Sequence, residues 1–276
     1  MSDAMTFIGI SGVGKSLQVE RILSLLPYAI EHRELGILQV VSIKIDCPAG
    51  GSLKSLILDA IAQVDALIGT NWVKACERMR TNDLLLSANA VFQTHYVGVL
   101  VIDEIQNLLH SREGPGRVLE FLVNLANRVK VPLIFIGTPA ALPLFQNCFA
   151  QARRSGPLYE CKPLAFGKHW DAFASQLWSH QLVKHPQALT ADISKCWHEE
   201  TFGIQGLAIQ LFRLAQRVAI RSGTETISVR ELRSTSDRYM KAVRPVVAAL
   251  RRGSPNLLSE YNDLISQAIL DCRAAA

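Results

Sequence analysis

Near the start of the chain, Gly9-Ile10-Ser11-Gly12-Val13-Gly14-Lys15-Ser16 fits the pattern G-x-x-x-x-G-K-[ST]. Residues of these types at this spacing do one kind of chemistry well. Gly12 and Gly14 let backbone N–H groups turn inward onto phosphate oxygens, where a side chain would crowd the anion or forbid the dihedrals. Lys15 is placed to reach the terminal phosphates and Ser16 to offer its hydroxyl to Mg²⁺. A helix beginning at Ser16 aims its N-terminal end at the same anion. The expected nucleotide-binding set is therefore Gly9, Ser11, Gly12, Val13, Gly14, Lys15, Ser16 and Leu17.

Three further constellations could act on a bound nucleotide. "VGVLVIDEIQNLL" runs apolar residues into Asp103-Glu104, two carboxylates at the end of a buried strand. If that strand lies beside the phosphate loop, Asp103 joins Ser16 around Mg²⁺ and Glu104 polarises the attacking water. Solvated acids closing a strand would look the same in isolation. "VPLIFIGTPAALPLF" ends a strand at Thr138, a polar probe for the terminal phosphate or simply a helix cap. "QARRSGPLYE" carries Arg153 and Arg154, either a solvated pair or a charge that stabilises the transition state on a neighbouring subunit's nucleotide.

The elements that must hold these groups alternate. Strands are expected at Thr6–Ile10, Leu38–Ile45, Gly98–Asp103, Pro132–Ile136 and Leu158–Cys161. Helices are expected near Ser16–Leu26, Ser52–Leu67, Leu84–His95, Gly116–Val129 and Pro139–Gln146. Continuous apolar strands separated by helices imply a parallel five-stranded sheet covered on both faces. After Pro163 only helices are expected: Lys168–His180, Thr190–Thr201, Gly206–Arg221 and Ser228–Leu250, the last with Ser228 as N-cap and Glu231 three residues on. The reading is an α/β nucleotide-binding core over 1–164 and an all-helical lid over 165–276.

The 276 residues, 49% hydrophobic and 19% charged, suffice for a sizeable core and argue against disorder. A net charge of +5 suits an anionic partner such as nucleic acid. Six scattered cysteines form no C-x-x-C pair, so neither a zinc site nor a disulfide framework is expected. With no apolar run of membrane-spanning length and no signal-like start, the expectation is a soluble, cytoplasmic protein.

In the order of these motifs the chain resembles the AAA+ ATPases. "KIDCPAGGSLKSLILDAI", "DEIQNL", "IGTPAA", "GIQGLAIQLFRLAQRVAI" and "MKAVRPVVAALRRGSPNLLSEYNDL" resemble, more narrowly, the transposition regulators of the TnsC/TniB family. That resemblance implies an ATPase requiring ATP and Mg²⁺ that assembles as a ring or filament on double-stranded DNA. It implies partners in a target-selector protein and a transposase, with hydrolysis controlling insertion. It assigns Lys15 and Ser16 to the nucleotide loop, Asp103 and Glu104 to the metal and water, and Thr138 to the sensor. Arg153 or Arg154 becomes the finger acting across subunits. Family members grip the DNA backbone between the second strand and the DE strand, which here offers Lys54, Lys74, Arg78 and Arg80. Lys74 and Arg78 would share a face if "NWVKACERMR" is helical.

Two departures are visible. The lid stretch Gly203-Ile204-Gln205-Gly206 lacks the arginine with which many AAA+ lids sense nucleotide. Met1–Met5 cannot supply the segment that helps relatives hold adenine. Three readings of that start fit, a truncated chain, a mispredicted start or a minimal variant, and in each adenine selection is weakened; the end at Ala276 is expected to lack the transposase-binding tail of longer members. Two other functions fit the same motifs: a scaffold that uses ATP to assemble with little hydrolysis, and an initiator or clamp-loader type ATPase.

Overall fold

The computed structural model describes residues 4–145 and 157–251. They form two compact units. One comprises the chain up to Gly9 with Lys15–Glu160; the other comprises Ile10–Gly14 with the chain from Cys161 onward.

The first unit is built on a five-stranded parallel sheet in the order β4-β5-β6-β1-β7. Its strands are β1 (Ala4–Gly9), β4 (Ser42–Asp46), β5 (Val99–Asp103), β6 (Leu133–Gly137) and β7 (Leu158–Cys161). Helices α1 (Lys15–Leu23), α2 (Leu53–Ile68), α3 (Trp72–Cys76), α4 (Thr81–Thr94) and α5 (Pro115–Arg128) connect them, and α6 is described over 142–145. The alternation of β5 shows why its apolar run is unbroken. Leu100 and Ile102 enter the main core with Leu84, Leu85 and Phe92 of α4, while Val101 packs on the other face with Val19 of α1. Both faces are covered, so both sets of side chains are apolar.

Three expected elements differ. Leu38–Ile45 is two strands: β3 (Ile37–Val40) pairs antiparallel with β2 (Ala29–His32), and the chain switches at Val41 into β4. There the Val41 amide donates to the Tyr28 carbonyl at 2.9 Å. Gly98 makes the switch possible, since a Cβ on it would lie 2.6 Å from the Val41 oxygen. The segment after Thr138 opens as a 3-10 turn, Pro139–Ala141, before α6. Ser228–Leu250 is broken into α10 (Val229–Tyr239) and α11 (Arg244–Arg251). Pro245 explains the break, because proline fits the first turn of a helix but clashes in its interior.

The second unit holds α7 (Lys168–Trp178), α8 (Ala191–Thr201), α9 (Gln205–Ser222), α10 and α11. Thr190 caps α8 by accepting from the Ile193 amide, and Ser228 and Glu231 form a reciprocal capping box on α10. Its core is aromatic: Trp197 lies 5.5 Å from Trp170, 5.5 Å from Trp178 and 5.4 Å from Phe212. Each indole N–H in this cluster finds an acceptor, on Ser194, Gln187 and Ala208. Among the described residues no helix is long and apolar enough to cross a membrane.

Candidate nucleotide site

The phosphate-loop octet joins β1 to α1. Gly12 and Gly14 both stand at φ 83°, the region a side chain resists, so both glycines are required by the turn. The Lys15 ammonium donates to the Gly9 carbonyl at 2.7 Å, folded back along the loop it must serve. Val13 and Ile10 are both buried; both side chains enter the aromatic core of the second unit. The Gly206 amide of α9 donates to the Gly12 carbonyl at 2.8 Å, main chain to main chain. A Cβ on Gly206 would stand 3.1 Å from both the Gly12 Cα and its oxygen. The lid stretch without an arginine is thus occupied by a close backbone approach. Ser16 is half-buried and Leu17 points into solvent.

The carboxyl ends of β1, β6 and β5 lie along one edge of the sheet, with Ile8 paired to Gly137 and Ile102 to Phe135. Ligands of open α/β sheets bind at this edge. β6 lies between the DE strand and the phosphate-loop strand, and Thr138 follows directly at its end. Asp103 and Thr138 are both buried, whereas Glu104 is exposed.

Asp103 is held on both oxygens. Oδ1 accepts the Glu104 amide at 2.8 Å, and Oδ2 faces the Lys44 ammonium at 3.1 Å. Lys44 also meets Glu20 at 3.1 Å and Asp46 at 3.2 Å. Burial works against its charge, but the carboxylates of Glu20, Asp103 and Asp46 outweigh that and hold its pKa above the ordinary lysine value. Each Asp103 oxygen keeps a lone pair, so the residue can still serve a cation through a coordinated water. Among the described residues no group of three His, Cys, Asp or Glu could hold a metal unaided. Mg²⁺ takes one or two protein oxygens and completes its shell from phosphates and water, and Asp103 would offer one such oxygen.

Lys44 and Gln106 escaped the sequence reading. Gln106 donates through Nε2 to the Glu104 carboxylate and accepts the Thr138 amide on Oε1 at 3.1 Å. Their only signals were a lysine inside an apolar strand and an amide two places after the paired acids. Next to this network the Cys47 thiol is pushed up to about 12, by burial first and by the Glu104 charge second.

The basic residues are less concentrated than expected. Helix α3 ends at Cys76, so Lys74 is helical but Arg78 lies in the following turn, and the proposed common face does not exist. The cause is local. Asp65 accepts the Trp72 and Val73 amides at 2.9 Å, pinning a helix only five residues long. Lys74, Arg78 and Arg80 are exposed and Lys54, on α2, is half-buried. Arg80 lines a 420 Å³ cleft with Arg117 and with Asp83, Glu113 and Glu120, so acids offset it there. Arg153 and Arg154 lie outside the described residues.

A phosphate loop on β1, acids ending β5, a polar residue ending β6 and this strand order define a P-loop nucleotide-binding fold of the AAA type. A family model described as an AAA domain matches residues 2–145, more than half of the chain. The chain belongs to that family and is an AAA-family P-loop ATPase. Among solved structures it is similar to the ORC1 protein of Aeropyrum pernix in complex with DNA, with TM-score 0.58 and 16% identity over 89% of this chain and 62% of that one. A Walker-type ATPase of Pyrococcus abyssi matches at TM-score 0.58 and 16% identity, over 92% of this chain and 71% of that one. Cdc6p of Pyrobaculum aerophilum matches at 0.57 and 14%, over 86% and 61%. At these identities the likeness is one of fold, and the chain spans less than two thirds of the ORC1 and Cdc6p chains. No curated protein matches the sequence.

Proposed function

We propose that this protein binds and hydrolyses ATP and uses that cycle to assemble on double-stranded DNA as a transposition regulator of the TnsC/TniB type. The observation that carries the ATPase part is the convergence of the phosphate loop, Asp103-Glu104 and Thr138 on one sheet edge. Lys15 and the loop amides hold the phosphates; Ser16 and Asp103 would hold Mg²⁺, which when bound would neutralise phosphate charge. Glu104, exposed at that edge, takes the proton of the attacking water, and Thr138 reads the terminal phosphate. Arg153 or Arg154 supplies charge to a neighbouring subunit's nucleotide, and residues 165–276 act as the lid. The transposition part is supported by the sequence resemblance, above all by "VRPVVAALRRG" and the segments before it. Its partners are then a target-selector protein and a transposase.

A second reading, an initiator-type ATPase, is favoured by the fold likeness to the archaeal ORC and Cdc6 proteins. ATP turnover and electron microscopy with double-stranded DNA and a slowly hydrolysed analogue test the proposal. Hydrolysis abolished by Glu104→Gln, together with DNA-coating rings or filaments, supports it. Nucleotide-bound monomers alone would refute the assembly, and capture of a helicase loader in place of transposase subunits would favour the initiator.

A further inference from the structure

Glu104 is a non-glycine residue in the left-handed region, at φ 54° and ψ 37°. Such a conformation is uncommon and persists where surrounding contacts impose it. Here it turns the chain from β5 into a 3-10 segment, Ile105–His110. Residues two apart in a regular helix point away from each other. The left-handed turn instead brings the Gln106 amide onto the Glu104 carboxylate.

The other end of the same amide accepts the Thr138 backbone N–H at 3.1 Å. Its orientation is dictated by chemistry. Reversed, the carboxamide oxygen would face a carboxylate and its NH₂ would face an N–H donor. A glutamate could not donate to Glu104, and an asparagine is one methylene shorter. The space for this bridge is also specific. A Cβ on Gly137 would stand 3.0 Å from Gln106 Oε1 and 2.7 Å from Ile105 Cγ2. Gln106 thereby links the carboxylate ending β5 to the main chain ending β6, two strands paired side by side.

We infer that Gln106 is a positioning residue for ATP hydrolysis, fastening the water-activating Glu104 to the strand end that carries Thr138. The aim of the carboxylate then depends on the position of β6's end, through the backbone and not through the Thr138 hydroxyl. The inference rests on the hydrolysis reading above.

The test uses the full chain, measuring ATP turnover, ATP Kd and melting temperature for the wild type, Glu104→Gln, Gln106→Met and Gln106→Glu. Gln106→Met keeps length and packing but makes neither bond; Gln106→Glu keeps the acceptor and loses the donor. A lost hydrogen bond to a charged group predicts a kcat decrease of roughly 10- to 100-fold in both. ATP Kd should stay within about twofold, because the bridge touches no ligand-binding group through a side chain other than Glu104. Thr138→Ala retains the backbone N–H, and Gln106→Met should cost the same factor in that background. Wild-type turnover with unchanged kcat in both variants overturns the inference and leaves the ATPase reading standing. A parallel loss of binding or of folding makes Gln106 merely structural and also overturns it. Wild-type turnover no faster than Glu104→Gln would bring down the hydrolysis reading and this inference with it.

Discussion

Replacing Lys44 with methionine removes the cation shared by three carboxylates while keeping most of the stem's packing. The three are not equal: the Asp103 side chain is 5% exposed, against 50% for Glu20 and 72% for Asp46. Glu20 and Asp46 can turn into water, and exposed pairs of that kind contribute about 0–1 kcal/mol. Asp103 cannot, because its other oxygen is fastened to the Glu104 amide. Breaking a fully buried pair costs about 3–5 kcal/mol. Lys44 itself keeps a fifth of its side chain exposed, which moderates the loss to roughly 2 kcal/mol. For a chain of this size that lowers the melting temperature by about 4–8 °C. The pH dependence has a definite sign. A lysine pKa raised on folding stabilises fully below its unfolded value of 10.5 and loses that contribution as pH rises beyond it. Thermal melts of both proteins from pH 7 upward should show a constant gap that narrows only above about 10.5. Equal melting at neutral pH, or a gap already closing near pH 8, would refute the argument.

Other consequences are open to simpler measurements. Gly206→Val should weaken ATP binding through the loop it crowds, by the roughly 1–3 kcal/mol typical of overpacking, or about 5- to 150-fold in Kd; unchanged titration would show that the approach to Gly12 is slack. Cys47, with its thiol pushed up to about 12, should resist iodoacetamide at pH 8 in the folded protein and react on unfolding. Alkylation at the rate of a free thiol would contradict that environment. Neutralising Lys74, Arg78 and Arg80 together should weaken double-stranded DNA binding equally across sequences. Each lost phosphate contact should reduce the salt slope by about 0.9; an unchanged slope would exclude this segment.

What could be read in the sequence was local or periodic. The phosphate loop announces itself because the chemistry needs adjacent residues, and β5 and β6 because strands buried on both faces carry no polar interruption. The capping box of α10 is similarly written in four consecutive residues. The switch at Val41 is hidden within an equally apolar run, and its enabling residue, Gly98, is distant in the chain. Lys44 meets acids from positions 20, 46 and 103, an encounter only the assembled sheet creates. The left-handed turn at Glu104 has no signature, since glutamate has no preference for it, and the bridge Gln106 makes across that turn is visible only once the turn is built. Lys74 and Arg78 show the converse, a four-residue spacing that suggested a face where the helix had already ended.

Three of the four tryptophans, Trp170, Trp178 and Trp197, are buried in the second unit's core, while Trp72 belongs to the first unit and is 37% exposed. That same core receives Ile10 and Val13 from the phosphate loop. The protein therefore carries its own optical reporter. Acrylamide should quench Trp72 selectively, leaving the shielded, blue-shifted emission of an aromatic cluster that touches the loop's own side chains. Occupancy of the loop should then be readable by intrinsic fluorescence, on unlabelled protein and on the millisecond scale of a stopped-flow mixer.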